Sequence, residues 1–241
     1  MFKSFKKLQK KFSKNTVMIL AIILLLMVIL FIQFYRSKMD NPALKNTYSQ
    51  INQDLNVLKY LNHKRNGYFV EVGAANGISL SNTYLLEKKY GWNGICIEPV
   101  PSHFKELVKN RDCITLNIAA YNKSGEEVEI AEAGLLSGIK DDIDKHKQAK
   151  EGKTFKIKTK TLTEILDENN APSTIDYMSL DTEGSKLKIL QGIDFNKYKF
   201  KYINLEHNHV EPRRTQMRKL LENNGYKYKG PNKFDDDYVL L

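Results

Sequence analysis

The sequence has little cysteine and no internal repeat or low-complexity tract. Its two cysteines, Cys96 and Cys113, form no metal-binding pattern. Both fall in apolar runs, so we expect buried free thiols, although the strands that carry them could also be neighbours. With 241 residues, 41% of them hydrophobic, the chain is long enough for one well-cored domain plus an appendage. These features exclude a fibrous or disordered protein.

Acidic residues are absent from residues 1–38, which carry eight lysines and arginines. The formal net charge of the whole chain is +10. The basic N-terminal segment accounts for most of that excess, because the rest of the chain holds 30 basic and 28 acidic side chains. A phosphate-binding surface needs a larger basic excess, so no nucleic-acid partner is expected.

Charged residues are also absent from "TVMILAIILLLMVILFIQFY", residues 16–35. As a helix this segment is about 30 Å long, which is the thickness of a bilayer core. A buried core helix would show a polar edge, and a cleaved signal peptide would be followed by a small-x-small site; neither is present. We therefore predict a transmembrane helix over 16–35. The lysines that precede it favour a single-pass protein with a cytoplasmic N-terminus.

The remaining chain alternates short apolar strands with helices. The expected parallel strands are "YFVEVG" (68–73), "GICIEP" (94–99), "CITLNIAA" (113–120), "IDYMSLD" (175–181) and "YINLEHN" (202–208). Such a pattern predicts an α/β fold whose mostly parallel sheet has helices on both faces, closed by a final strand pair. The expected organisation is a basic tail (1–15), the span (16–35), a linker with a leading helix (36–64) and one domain (65–241).

Small residues and carboxylates occur together at the first strand-to-helix turn. Gly73, Ala75 and Gly77 let a ligand approach the backbone, in a G-x-x-x-G spacing that differs from the G-x-G-x-x-G of nicotinamide binders. Glu71 precedes them, and Glu98 ends the second strand, where it is placed to accept hydrogen bonds from ribose hydroxyls. S-adenosylmethionine fits, because it has a ribose and cationic groups but no phosphate. Alternatively, both carboxylates are solvated strand ends.

Several blocks of this sequence resemble the FkbM family of S-adenosylmethionine-dependent methyltransferases. They are "VEVGAANGISLSNTYLLEKKYGWNGICIEPVPSHFKEL", "NIAAYNKSG", "IDYMSLDTEGSKLKILQGIDF" and "INLEHN", which together cover roughly residues 65–210. The resemblance implies a Rossmann-like class I methyltransferase fold with a seven-stranded sheet, and O-methylation of a hydroxyl on a sugar, glycan or related metabolite.

The resemblance also implies which residues bind the cofactor. The methionine side would be lined by Glu71, Gly73, Ala75 and Gly77, and Glu98 would hold the ribose. Asn117 and Ala119 would border the adenine, although Asn117 could equally be a polar turn residue.

We expect the chemistry in "SLDTEGS", residues 179–185. Methyl transfer to a hydroxyl requires alignment of the reacting atoms and removal of a proton. Asp181 ends a strand beside the expected sulfonium, and Glu183 is a candidate base or hydroxyl ligand. Glu183 could also simply stabilise a helix N-terminus.

Further polar residues are expected at the same edge of the sheet. His207 follows Glu206 at the end of the fifth strand and is a second candidate base. Asp181, Glu206 and His207 could alternatively bind a divalent cation. The insertion 134–152 is either a solvated connector or a lid, with Ser137, Gly138 and His146 as candidate acceptor contacts.

Three functions remain open at this stage. The first is an S-adenosylmethionine-dependent O-methyltransferase acting on a hydroxyl-bearing small molecule or glycan. The second is a nicotinamide or nucleotide-sugar enzyme, which the glycine spacing disfavours. The third is a membrane-anchored, catalytically inactive adaptor, which the presence of Glu71, Gly73, Glu98, Asp181 and Glu183 disfavours.

Overall fold

The computed structural model describes residues 14–39 and 46–241, and the chain separates into two compact units between residues 44 and 45. The first unit contains helix α1 (Lys14–Met39). The apolar side chains at 18–30 of this helix are exposed. In the part of the chain that the structure describes, no helix is long and apolar enough to cross a membrane, so the transmembrane helix predicted over 16–35 is not supported. Most of the predicted basic tail and residues 40–45 lie outside the described residues.

The second unit alternates strands and helices. Its helices are α2 (Gln53–Tyr60), α3 (Tyr84–Tyr90), α4 (Pro101–Asn110), α5 (Leu162–Glu168), α6 (Lys186–Gln191) and α7 (Arg213–Asn223), with a 3-10 turn over Lys147–Glu151. Its strands are β1 (Tyr68–Val72), β2 (Asn93–Ile97), β3 (Ile114–Leu116), β4 (Ala119–Tyr121), β5 (Glu127–Glu132), β6 (Gly138–Ile139), β7 (Lys153–Thr161), β8 (Thr174–Leu180), β9 (Lys199–Glu206), β10 (Tyr226–Asn232) and β11 (Asp235–Leu240).

The main sheet has seven strands in the order β10-β11-β9-β8-β1-β2-β3. The five strands from β9 to β3 are parallel, whereas β11 is antiparallel to both β9 and β10. This arrangement confirms the predicted α/β architecture and its closing strand pair. The strand order reverses between β1 and β8, the position at which open α/β sheets bind ligands.

The predicted third strand, 113–120, divides into two strands of different sheets. After β3 the side-chain amide of Asn117 donates to the carbonyl oxygens of Glu98 and Pro99, each at 2.9 Å. The chain then enters β4, which pairs with β7 in a second sheet of order β4-β7-β5-β6. Much of the insertion 134–152 is therefore ordered around this second sheet, as β6 and the 3-10 turn.

The hydrophobic core lies on both faces of the main sheet, as strand alternation requires. Val70 and Val72 of β1 pack on one face with residues of α5, α6 and α7. Phe69 points to the other face and packs with Leu85 of α3 and Leu107 of α4. This alternation decides which side chains of β1 reach the ligand edge.

The two edges of the main sheet are irregular. The edge strand β10 contains Pro231, and its pairing with β11 shifts register between Tyr228 and Gly230. At the opposite edge β3 is only three residues long.

Candidate active site

A cavity of about 410 Å³ opens at the carboxyl ends of β1, β2, β8 and β9. Its position at the reversal of strand order is the one that the sheet topology predicts. Small residues and carboxylates both contribute to its wall, among them Gly73, Ala75, Glu98, Asp181, Glu183 and Glu206.

The turn after β1 brings bare backbone to the cavity. Gly73 has a φ of +87°, and a Cβ there would lie 1.9 Å from the carbonyl oxygen of Asp181, so only glycine fits. Ala75 also has a positive φ, of 45°, and lines the cavity. Gly77 does not line the cavity. A Cβ there would lie 2.6 Å from the Leu107 side chain, so glycine at this position allows the turn to pack on α4.

Glu98 is buried at the end of β2, on the cavity wall. Its two carboxylate oxygens accept from the backbone N–H groups of Ala75 and Val100, each at 2.8 Å. Burial raises the pKa of Glu98 to about 7, against the opposing effect of these two hydrogen bonds. The Nδ1 atom of His103 lies 3.8 Å from Glu98 Oε1, and His103 also lines the cavity. No pattern in the sequence predicts His103 at the site.

Glu71 does not belong to the described cavity wall. It lies on the opposite face of the sheet, where it is ion-paired with buried Arg111 at 3.1 Å. The Thr83 hydroxyl donates to it at 2.6 Å and the backbone N–H of Asn82 at 2.7 Å. Its carboxylate is therefore fully engaged in the packing of β1 against α3 and α4, and the structure does not place it at the methionine side as predicted.

The two predicted adenine contacts are placed differently. Ala119 is buried and lines the cavity. Asn117 is exposed and binds the backbone of residues 98 and 99. This placement supports the alternative of a polar turn residue for Asn117.

The segment after β8 brings two carboxyl groups to the cavity. Asp181 lies on its wall, with its accessible surface open to the cavity. Withdrawal from bulk water and the nearby charge of Glu206 raise the pKa of Asp181 well above its usual range. Glu183 is 7% exposed, and its Oε2 atom has no hydrogen-bond partner. Burial raises the pKa of Glu183, which favours a group that can take a proton near neutral pH.

Lys186 lies directly behind these carboxylates. Its ammonium donates to Glu206 Oε2 at 2.6 Å and to the carbonyl oxygen of Thr182. Burial opposes ionisation of Glu206, but this ammonium outweighs burial and lowers the pKa of Glu206. No pattern in the sequence predicts Lys186 at the site.

His207 is buried away from the cavity wall. Its Nδ1 atom accepts from the backbone N–H of His209 at 2.9 Å, and its Nε2 atom lies 3.5 Å from Asp236 Oδ1. Burial lowers the pKa of His207, although Asp236 opposes this effect. The structure thus does not support the predicted role of His207 as a base.

The alternative divalent-cation site is also unsupported. Among the described residues, no group of three or more histidine, cysteine, aspartate or glutamate side chains could hold a metal ion. Asp181 and Glu206 do lie together, but the charge that the structure places beside them is the Lys186 ammonium.

The insertion contributes a wall of the cavity. Ser137, Gly138 and His146, the three residues predicted in it, all line the cavity. A Cβ on Gly138 would lie 2.8 Å from the carbonyl oxygen of Glu183, and a Cβ on Gly184 would lie 1.9 Å from that of Asp142. The insertion and the 183–184 turn therefore pack backbone against backbone.

The chain is similar in sequence to one family of methyltransferase domains. Residues 71–228 match the model of the methyltransferase FkbM domain. No curated protein matches the chain.

Solved structures of similar fold include methyltransferases and a fibrillarin. Precorrin-6y C5,15-methyltransferase from Geobacter metallireducens is 12% identical, with 82% of this chain and 91% of that chain covered and a TM-score of 0.45. A TehB-like SAM-dependent methyltransferase from Corynebacterium glutamicum is 8% identical, with coverages of 88% and 96% and a TM-score of 0.44. Aeropyrum pernix fibrillarin, with bound S-adenosyl-L-methionine, is 11% identical, with coverages of 73% and 66% and a TM-score of 0.40.

Proposed function

Because the chain belongs to the FkbM methyltransferase family, we propose that it binds S-adenosylmethionine in the cavity and methylates a hydroxyl group of a sugar, glycan or related metabolite. The observation that supports the hydroxyl acceptor is Glu183, a residue of the cavity wall whose buried Oε2 atom has no hydrogen-bond partner within the described residues. A buried carboxyl oxygen without a partner is costly, and an acceptor hydroxyl would relieve that cost.

The residues of the cavity fit the cofactor. Each oxygen of Glu98 accepts one backbone hydrogen bond and has lone-pair capacity left for a ribose hydroxyl. Gly73 and Ala75 leave the backbone accessible, and the carboxylate of Asp181 suits the cationic end of the ligand. When bound, S-adenosylmethionine supplies a methyl group activated by its sulfonium.

The acceptor is held, in this proposal, between Glu183 and the insertion. Glu183 takes the hydroxyl proton as the oxygen attacks, and its raised pKa suits that task. Ser137 and His146 supply polar contacts from the facing wall. Several hydrogen-bonding groups around one buried base suit an acceptor rich in hydroxyls, which supports a sugar or glycan.

We also propose that residues 16–35 attach the chain to a membrane, with the N-terminus in the cytoplasm. The support comes from the apolar sequence, from the lysines that precede it and from the exposed apolar side chains at 18–30 of α1. The partner of these side chains would be lipid.

Calorimetric titration with S-adenosylhomocysteine tests the cofactor. The transfer step is tested with methyl-labelled S-adenosylmethionine and a panel of monosaccharides, nucleotide sugars and glycolipid extracts. Glu183→Gln should leave the affinity for S-adenosylhomocysteine nearly intact and lower transfer roughly 10²–10⁴-fold. Binding without transfer to any of these acceptors would instead support the catalytically inactive adaptor.

A further inference from the structure

The carboxylates at the ends of β8 and β9 share a single buried ammonium. Lys186 is 3% exposed and begins α6, directly after the segment that carries Asp181 and Glu183. Its Nζ atom contacts the Thr182 carbonyl and Glu206, both of which line the cavity, whereas Lys186 itself is not part of the described wall. The ammonium therefore joins two segments of the site from behind.

An ion pair in this position needs an explanation other than stability. Apolar residues of similar volume often replace a buried ion pair with no loss of stability, because desolvation of both charges is expensive. Here the pair fixes the backbone at Thr182, between the two carboxyl groups proposed to face the methyl donor and the acceptor. A function in positioning these groups accounts for the buried charge.

The charges around Lys186 are unbalanced. Three carboxyl groups line the cavity, those of Asp181, Glu183 and Glu206. Asp235 of β11 lies opposite Glu206 in the strand register and adds a fourth. Burial raises the pKa of Asp235 to about 6. Two carboxylates that share a site cannot both ionise easily without a nearby cation. Lys186 supplies that cation, since Glu206 and Asp181 outweigh the effect of burial and raise its pKa.

We propose, on the basis of the function proposed above, that Lys186 is a positioning residue of the methyltransferase site. It ties the Asp181–Glu183 segment to Glu206 and keeps the Asp181–Glu206 pair negatively charged toward a cationic methyl donor. It touches neither the donor nor the acceptor.

The test uses two probes and three variants of the full chain. S-adenosylmethionine reports on the cationic end of the site, whereas adenosine reports only on the ribose and adenine end. In Lys186→Met the pair takes up a proton, so the pH midpoint for S-adenosylmethionine binding should rise by about one unit. Affinity should then fall on the acid side of the new midpoint and recover to the wild-type value above it. Adenosine affinity should not change.

Two further variants separate positioning from general damage. Lys186→Arg keeps the charge and should restore the wild-type pH midpoint. Lys201→Met removes an ammonium from Asp176, 2.8 Å away, at the other end of the same strands. Lys64 still neutralises Asp176, so this control should bind both probes normally.

Two outcomes would overturn the inference. One is an unchanged pH midpoint of S-adenosylmethionine binding in Lys186→Met, and the other is an equal loss of affinity for both probes at every pH. Failure of the wild-type protein to bind either probe would instead overturn the proposed function.

Discussion

At the scale of single residues, the protonation state of Glu98 should control how strongly the cavity binds a ribose. Because its pKa is about 7, it is mostly ionised at pH 8 and mostly protonated at pH 6. A protonated carboxyl loses acceptor capacity, so the affinity for adenosine should fall up to about tenfold between pH 8 and pH 6. Calorimetry at several pH values measures this, because adenosine has no group that titrates in that range.

Two variants isolate the effect of Glu98. His103→Gln removes a titratable side chain 3.8 Å from Glu98 and should retain the pH dependence. Glu98→Ala should bind adenosine more weakly by roughly 1–3 kcal/mol at pH 8 and without the pH dependence. Equal affinity of Glu98→Ala and wild type would remove Glu98 from the site.

Arg111 has a structural function that can be measured separately from binding. Its guanidinium contacts Glu71 at 3.1 Å and Glu87 at 2.6 Å, and its side chain is 0% exposed. Arg111→Met would leave buried Glu71 without its cation and Glu87 with Lys88 alone, 2.8 Å away, which should cost about 3–5 kcal/mol of unfolding free energy. Urea denaturation measures this loss.

The matched control for Arg111 is Lys109→Met, which removes a surface ion pair with Glu106. The control should change stability by less than about 1 kcal/mol. Similar stability losses in both variants would contradict the assignment of Arg111 to a buried network.

Single residues also show where inference from the sequence ends. Glu98 was identified because it ends a strand at the ligand edge. Side chains alternate along β1, so Glu71 lies on the opposite face of the sheet from Val72, which lines the cavity. The sequence prediction for Glu71 did not take this alternation into account. Lys186 had no signal, because a lysine in an amphipathic helix is typical of an exposed face. Its burial depends on Glu206, which arrives from a later strand.

At the scale of elements, the turn between β8 and α6 is sensitive to bulk. Gly184 has a φ of +85°, and a Cβ there would lie 1.9 Å from the Asp142 carbonyl oxygen. Gly184→Ala should therefore cost about 3 kcal/mol or more, from backbone strain and overpacking together. Thermal and urea unfolding provide the measurement.

Gly125 separates the two causes, because it has a φ of +79° and a Cβ there would meet nothing within 4 Å. Gly125→Ala should cost only about 1–2 kcal/mol. If both alanine variants lost the same stability, the packing of the insertion on the turn would contribute nothing.

The main strands and helices could be predicted because apolar runs and their spacing are local signals. The second sheet could not, since β4, β5, β6 and β7 are short or partly exposed and are defined by pairing between distant residues. The sequence therefore predicts only a connector or lid over 134–152. The side-chain chemistry of Ser137 and His146 nonetheless makes them candidate acceptor contacts.

At the scale of the whole molecule, the division between residues 44 and 45 predicts independent folding of the second unit. Removal of residues 1–44 should leave a protein with an unchanged thermal midpoint and an unchanged affinity for S-adenosylhomocysteine. In cell fractionation the full chain should be recovered in the membrane pellet, and the truncated chain should not. A truncated protein that stays in the pellet would contradict the proposed anchor.

The irregular edges of the main sheet bear on how the protein behaves at high concentration. A straight edge strand offers a row of unpaired N–H and C=O groups to which another chain can add. Pro231 removes one donor from β10, the register shift beside Gly230 bends it, and Lys227 and Lys229 add charge. The short β3 offers too few groups for stable pairing. Crowded copies should therefore resist joining edge to edge into aggregates.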